Sequence, residues 1–229
     1  MAIKFRFPSQ RMRGTLVLIA IGSFLTLLCA SCNSAKYAVG YKQAKKSQDS
    51  YLLLKPIVTI LTTDGTDVKV DSSFSRSRAR IIQQTITDLL SKKFRVAHSE
   101  AQEMKMASLD SICLQIDKND PKILRGMMIT PVPLSDRDRS EKFGLLITMD
   151  AYINSNFGPH QNITNGIGSN TLVLNPRTNP MVALRVLVVD LTSNEVVFYD
   201  KQSTRNYDPR VESELQEFTR SALKKIYYK

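Results

Sequence analysis

The chain has 229 residues, 42% of them hydrophobic and 23% charged. That length suits one domain or at most two, and the composition excludes a disordered, collagenous or multi-span membrane chain. Three cysteines exclude a disulfide-dense scaffold, and 32 Lys and Arg against 21 Asp and Glu give a formal net charge of +11.

The amino-terminal segment reads as an address. Lys4, Arg6, Arg11 and Arg13 precede an apolar run from Thr15 to Leu28, and no acidic residue comes before Asp49. A basic start followed by a short apolar core is the layout of an export signal, with the positive charges held on the cytoplasmic side. The run closes on Leu28-Cys29-Ala30-Ser31-Cys32. Small residues directly before a cysteine resemble a bacterial lipobox, in which the cysteine is diacylated on sulfur and becomes the new amino terminus. Cys32 fits, with Ser31 and Ala30 before it, whereas Cys29 would put bulky Leu28 in the cleavage pocket. Cys29 is itself the departure, since it stands where the motif usually has Leu. Two other readings share this stretch. One is an uncleaved anchor, weakened by Gly22, Ser23 and Thr26 within a run that only just spans. The other is an ordinary signal peptide cut at Ala30 or Ser31. An acylated Cys32 would bind a lipid bilayer stably, at about 0.8 kcal/mol per buried CH₂.

Cleavage after residue 31 removes four of the 32 basic residues and none of the 21 acidic ones, so the mature chain keeps a net charge of +7. A basic excess near a membrane favours anionic lipid, lipopolysaccharide or polymer surfaces. Export argues against nucleic acid as a partner. With Cys32 acylated, Cys113 is the one thiol left and no internal disulfide can form. Residues 33–50 are polar and rich in Lys, Ser and Gln, and read as a flexible tether. The expected organisation is a signal peptide over 1–31, an acylated cysteine with its tether over 32–50, and one globular domain over 51–229. Asn33, Ser34, Ala35 and Lys36 follow the cysteine. They stand in place of the acidic run of surface-exposed Bacteroidetes-type lipoproteins and of the Asp that retains enterobacterial ones in the inner membrane. The resemblance therefore implies a periplasm-facing protein of the outer membrane.

Within the body, Leu52 to Leu61 reads as one buried strand and Thr62 to Ser75 as a polar turn region containing Asp64-Gly65. A helix is predicted over 76–94, capped by Ser75, with Ala79, Ile82, Ile86, Leu89 or Leu90, and Phe94 at helical spacing. A short strand over 95–98 and a second helix over 99–118 follow. Loops with Pro121, Pro131 and Pro133 then surround a short strand over 126–130. Phe143–Ile153 and Val182–Leu191 are long apolar strands, and the second turns through Thr192-Ser193-Asn194-Glu195 into a partner over 196–201. Asp208-Pro209 opens a last helix whose buried stripe is Val211, Leu215, Phe218, Ala222 and Ile226. Its acids lie early and its bases late, as the helix dipole favours. The pattern predicts a mixed α+β fold: one sheet of about five strands, with a long early helix, a second helix and a carboxy-terminal helix packed on it. The lipobox, the long helix after the first strand and the hairpin Val189, Asp190, Thr192, Glu195, Val196 before a terminal helix resemble two periplasmic α/β domains. These are the domain of the curli-export lipoprotein and the amino-terminal domain of the Tol-system propeller protein. That resemblance implies envelope assembly, export or trafficking, and supplies no catalytic residues.

Catalytic chemistry is sparse in the sequence. His98 and His160 lie far apart, and no H-E-x-x-H, G-x-S-x-G, S-x-x-K or Walker loop occurs, so no metal, cofactor or catalytic residue is expected. Asp150, Asp190 and Asp200 sit in strands without the spacing of a carboxylate pair. Cys113 lies among apolar residues and reads as an inert thiol. Asp110-Ser111-Ile112 matches a loose O-glycosylation pattern. Arg76, Arg78 and Arg80 crowd the start of the predicted first helix, where they and free backbone N–H groups would form an anion site; a solvated basic patch is the other reading. Residues 154–180, rich in Asn, Gly and Pro, form a loop long enough to be a partner surface or a plain connection. The expected function is a non-catalytic lipoprotein that binds other envelope proteins or itself. A carboxylate-based envelope hydrolase and a small-ligand binder are the alternatives.

Overall fold

The computed structural model describes residues 35–64, 67–99, 106–119, 123–129, 141–154 and 181–228. In chain order they form β1 (Lys36–Ala38), α1 (Tyr41–Ser47), β2 (Ser50–Leu53), β3 (Ile57–Asp64), β4 (Asp67–Val70), α2 (Ser72–Leu90) and β5 (Arg95–His98). Then come α3 (Met106–Asn119), β6 (Ile123–Leu124), β7 (Phe143–Asn154), β8 (Met181–Asp190), β9 (Glu195–Thr204) and α4 (Glu212–Tyr227). The strands make one mixed sheet in the order β4-β3-β7-β8-β9-β1-β6, with β2 set between β7 and β5.

The mixed α+β class is as expected, but among the described residues the sheet has nine strands rather than about five. Most of the additional strands are two to four residues long, too short to show an alternating pattern. The apolar stretch 52–61 is two strands, because Pro56 has no N–H for the ladder. Both halves still run parallel to β7: Leu53 pairs with Leu145 and Ile57 with Thr148, so three residues bulge against two. The region 62–75 is not a turn throughout; β3 and β4 pair antiparallel from Leu61↔Val70 to Asp64↔Asp67.

Alternation on β7 and β8 divides the core into two layers. Phe143, Leu145, Ile147, Met149 and Ile153 with Val182, Leu184, Val186 and Val188 face α2 and α4. Leu146, Leu187 and Val189 face Leu109, Ile112, Cys113 and Ile116 of α3. The long helix starts four residues earlier than the sequence reading. Asp71 caps it by accepting from Phe74 N at 2.8 Å. Ser75, predicted as the cap, is buried, donating to Asp71 O at 2.6 Å and accepting from Ile60 N at 3.0 Å, which ties α2 to β3. The last helix starts later than expected, at Glu212 rather than directly after Asp208. Asp208 forms an Asx turn one step earlier, accepting from Arg210 N at 2.9 Å, while Glu214 reaches back to Asp208 N at 2.7 Å. In the β8–β9 turn Asn194 takes φ 58°, the left-handed conformation that asparagine tolerates.

Within the stretch read as a tether, residues 36–47 carry β1 and α1. β1 pairs antiparallel with β9 (Tyr37↔Phe198) and parallel with β6 (Tyr37↔Ile123). On α1, Tyr41 is 3% exposed and sits edge-on to Phe143 at 5.4 Å. Lys45 donates to Lys225 O and Tyr228 O at the carboxyl end of α4, where a cation satisfies orphan carbonyls. Seven short helical residues among lysines carried too little apolar signal to be read as structure.

Burial pushes the Tyr41 and Tyr199 phenols far above the ordinary 10.0, and Tyr37 and Tyr51 upward as well. Tyr41 and Tyr51 share a buried contact of 3.4 Å between their hydroxyls. The folded state holds these phenols neutral, so it binds more protons than the unfolded chain above pH about 10. Their contribution to stability is therefore full below that pH and lost as pH rises towards the folded values. Tyrosinate absorbance and helical circular dichroism are expected to change together in alkali. Four tyrosines titrating near the ordinary value with the helix signal intact would contradict this.

Candidate functional site

On the α3 face, the strands carry a line of polar residues beyond the apolar layer. The register Thr148↔Arg185↔Lys201 brings β7, β8 and β9 side chains abreast, with Asp150 two residues along β7. The last turn of α3 contributes Asp117. Its carboxylate accepts from Tyr199 OH at 2.7 Å and from Lys201 Nζ at 2.6 Å. Arg185 Nε lies 4.0 Å from the same carboxylate, and the other end of its guanidinium pairs with Asp150. Burial pulls the Arg185 guanidinium down, but its hydrogen bond to Asp150 and the charge there outweigh this and leave it above its ordinary value. Tyr199 is raised by burial first, then by donating its proton to Asp117. Thr148 Oγ1 and Arg185 Nε are buried without a hydrogen-bond partner.

Two acids and two bases here neutralise one another. Such a network locks the end of α3 onto the sheet and fixes the orientation of Arg185. Each carboxylate is engaged by a cation. The sequence reading passed over Arg185, Asp117 and Lys201. Arg185 is the one cation of β8 and Asp150 the lone charge of β7, but only the strand register, which puts Arg185 opposite Thr148, brings them within reach.

Arg76, Arg78 and Arg80 lie beyond the first turn of α2 rather than at its start. Because α2 begins at Ser72, its free N–H groups lie a turn before them. Arg76 and Arg80 are exposed, whereas Arg78 packs over the Phe74 ring at 4.3 Å and donates to Arg210 O at 3.1 Å. Burial draws the Arg78 guanidinium below its ordinary value, against the raising charges of Glu212 and Asp208. Cys113 is buried in the α3 layer. His98 lies by α2, within 3.2 Å of Gln83 Nε2 and 3.4 Å of Thr87 Oγ1, so the two do not form a nucleophile–base pair. Asp190 accepts from Thr192 N and Ser193 N in the turn, and Asp200 is buried against Lys225 at 3.0 Å. Among the described residues no cluster of His, Cys, Asp and Glu could hold a metal, and no helix is long and apolar enough to cross a membrane. Cys32, His160, the Asp110 side chain and residues 155–180 lie outside the described residues.

No family model matches the chain, and no curated protein matches its sequence. Similar solved structures include a neuraminyllactose-binding hemagglutinin homolog from Helicobacter pylori, 9% identical over 80% of this chain and 82% of that one, TM-score 0.39. The PelC dodecamer from Paraburkholderia phytofirmans is 10% identical over 77% and 86%, TM-score 0.34. Lipoprotein GNA1162 from Neisseria meningitidis is 12% identical over 76% and 92%, TM-score 0.29.

Proposed function

We propose that the chain is a lipid-anchored protein of the cell envelope, exported by its leader and held by an acylated Cys32. In this reading it faces the periplasm from the outer membrane and works by binding envelope proteins or itself rather than by catalysis. The observation that carries the reading is Ala30-Ser31-Cys32 at the end of a basic-then-apolar leader, placed just upstream of β1 in the sequence.

Cys32→Ala is expected to move the protein from the membrane to the soluble periplasmic fraction, with loss of acyl label and of any partner crosslinked in the membrane. Membrane retention of an unlabelled chain that begins at Met1 would overturn the anchor. Full acylation without any enriched envelope protein, and without self-crosslinking, would overturn the binding role.

A further inference from the structure

Ala35 lies three residues after Cys32, and three residues span at most roughly 10 Å. If Cys32 is acylated, the edge of the sheet at β1 and β6 is held against the bilayer rather than let out on a tether. The chemistry of that edge matches such a position. Lys42 is exposed with its Nζ 4.8 Å from the Tyr37 ring, which places the cation beside β1. Lys118 is exposed in the last turn of α3, and Lys36 Nζ reaches Ile116 O in the same turn at 3.0 Å. Arg125 is exposed directly after β6. Among the described residues the nearby carboxylates Asp117 and Glu195 are engaged, Asp117 by Tyr199 and Lys201, Glu195 by Gly126 N at 2.9 Å.

Apolar side chains project among these bases. Val39, just past β1, is 71% exposed, and Met128, bridged to Glu195, is 61% exposed. Leu114 is 52% exposed one helical turn before Lys118 on the same side of α3. Exposed apolar residues interleaved with bases are what a surface needs to sit in a headgroup layer, with aliphatic groups at the acyl boundary and cations on the phosphates.

We infer that the β1–β6 edge, with Lys42, Lys118, Arg125, Val39, Leu114 and Met128, is a membrane-resting surface that binds anionic phospholipid headgroups. The inference rests on the proposed acyl anchor and adds an orientation to it: α3 and the β1–β6 edge lie towards the lipid, and β4 lies away. Lys69 on β4 serves as the reference, being exposed and five strands from β1, about 24 Å at the usual strand spacing.

The test uses the native acylated chain in vesicles of phosphatidylcholine alone and of phosphatidylcholine mixed with phosphatidylglycerol. A lysine-acylating reagent is applied and each peptide weighed. Lys42 and Lys118 are expected to react several-fold more slowly in the anionic vesicles, and Lys69 equally in both. Protection should vanish in 1 M salt, where the screening length falls to about 3 Å, and protection of Lys42 should be lost in the exposed-site double variant Lys118→Glu, Arg125→Glu. A chain that floats with both vesicles but labels identically in them overturns the inference alone. Equal protection in detergent, pointing to a protein or a second copy on this edge, also overturns it. A chain that floats with neither vesicle overturns the anchor and the inference together.

Discussion

Asp208→Ala is expected to destabilise the domain by about 3–5 kcal/mol, the usual cost of removing one partner from a buried ion pair. The Asp208 side chain is fully buried, and Arg210 grips it through Nε and Nη2 at 2.7–3.1 Å while the Asp208 oxygen also accepts from Arg210 N. Arg78 leans on the same turn through Arg210 O, and burial already works against its charge. Truncation leaves two partly desolvated guanidinium groups without their counter-charge and unties the turn that starts α4. Since a domain of this size is stable by about 5–15 kcal/mol, the loss is a large share of the whole. Chemical denaturation should show a lower midpoint with an unchanged slope. Asp208→Asn, which keeps the turn acceptor and loses the charge, should fall between. Adding Arg210→Met to Asp208→Ala should recover part of the loss, because it removes one stranded cation. A midpoint unchanged by Asp208→Ala would show that solvent, rather than the aspartate, satisfies both arginines.

What the sequence made legible follows the strength of its periodic signals. β7, β8 and α4 are long and apolar on a clear period, and their buried residues Leu145, Leu184, Leu215, Phe218 and Ile226 fall where the pattern predicts. Boundaries were less legible, because caps turn on single polar groups. Asp71 and Ser75 are both competent caps, and only the contact of Ser75 with Ile60 N decides between them. That shift of four residues places the free N–H groups of the helix a turn before Arg76, Arg78 and Arg80. The Asp117–Arg185–Lys201 network could not be read at all. Its members are joined by strand register, which brings residues 68 and 84 positions from Asp117 within reach of it, and register leaves no trace in local sequence.

The same limitation explains residues 36–47, and a replacement experiment separates the two readings of them sharply. Exchanging this segment for Gly and Ser of equal length should be harmless if it is a tether, since such linkers are random coils whatever their order. The structure demands a loss on the order of the whole folding free energy. Tyr41, an aromatic buried against Phe143 and near Phe198, is worth about 3–5 kcal/mol by itself in truncation. Tyr37 adds an edge-on contact with Phe198 at 5.2 Å, and its strand covers a β9 edge whose ladder groups would otherwise go unpaired. Removing Lys45 uncovers the carbonyls of Lys225 and Tyr228 at the end of α4, where Lys93 on Tyr227 O at 2.7 Å would be the cation left. These losses share neighbours and will not add simply, but each falls on the layer that β9 and α4 build. Loss of the cooperative thermal transition, with rapid proteolysis inside β9 and α4, is the expected result. A replaced chain that melts like the native one would return these residues to the role of a spacer. It would also free the β1–β6 edge from the bilayer, because the three-residue link from Cys32 would then no longer end on the folded body.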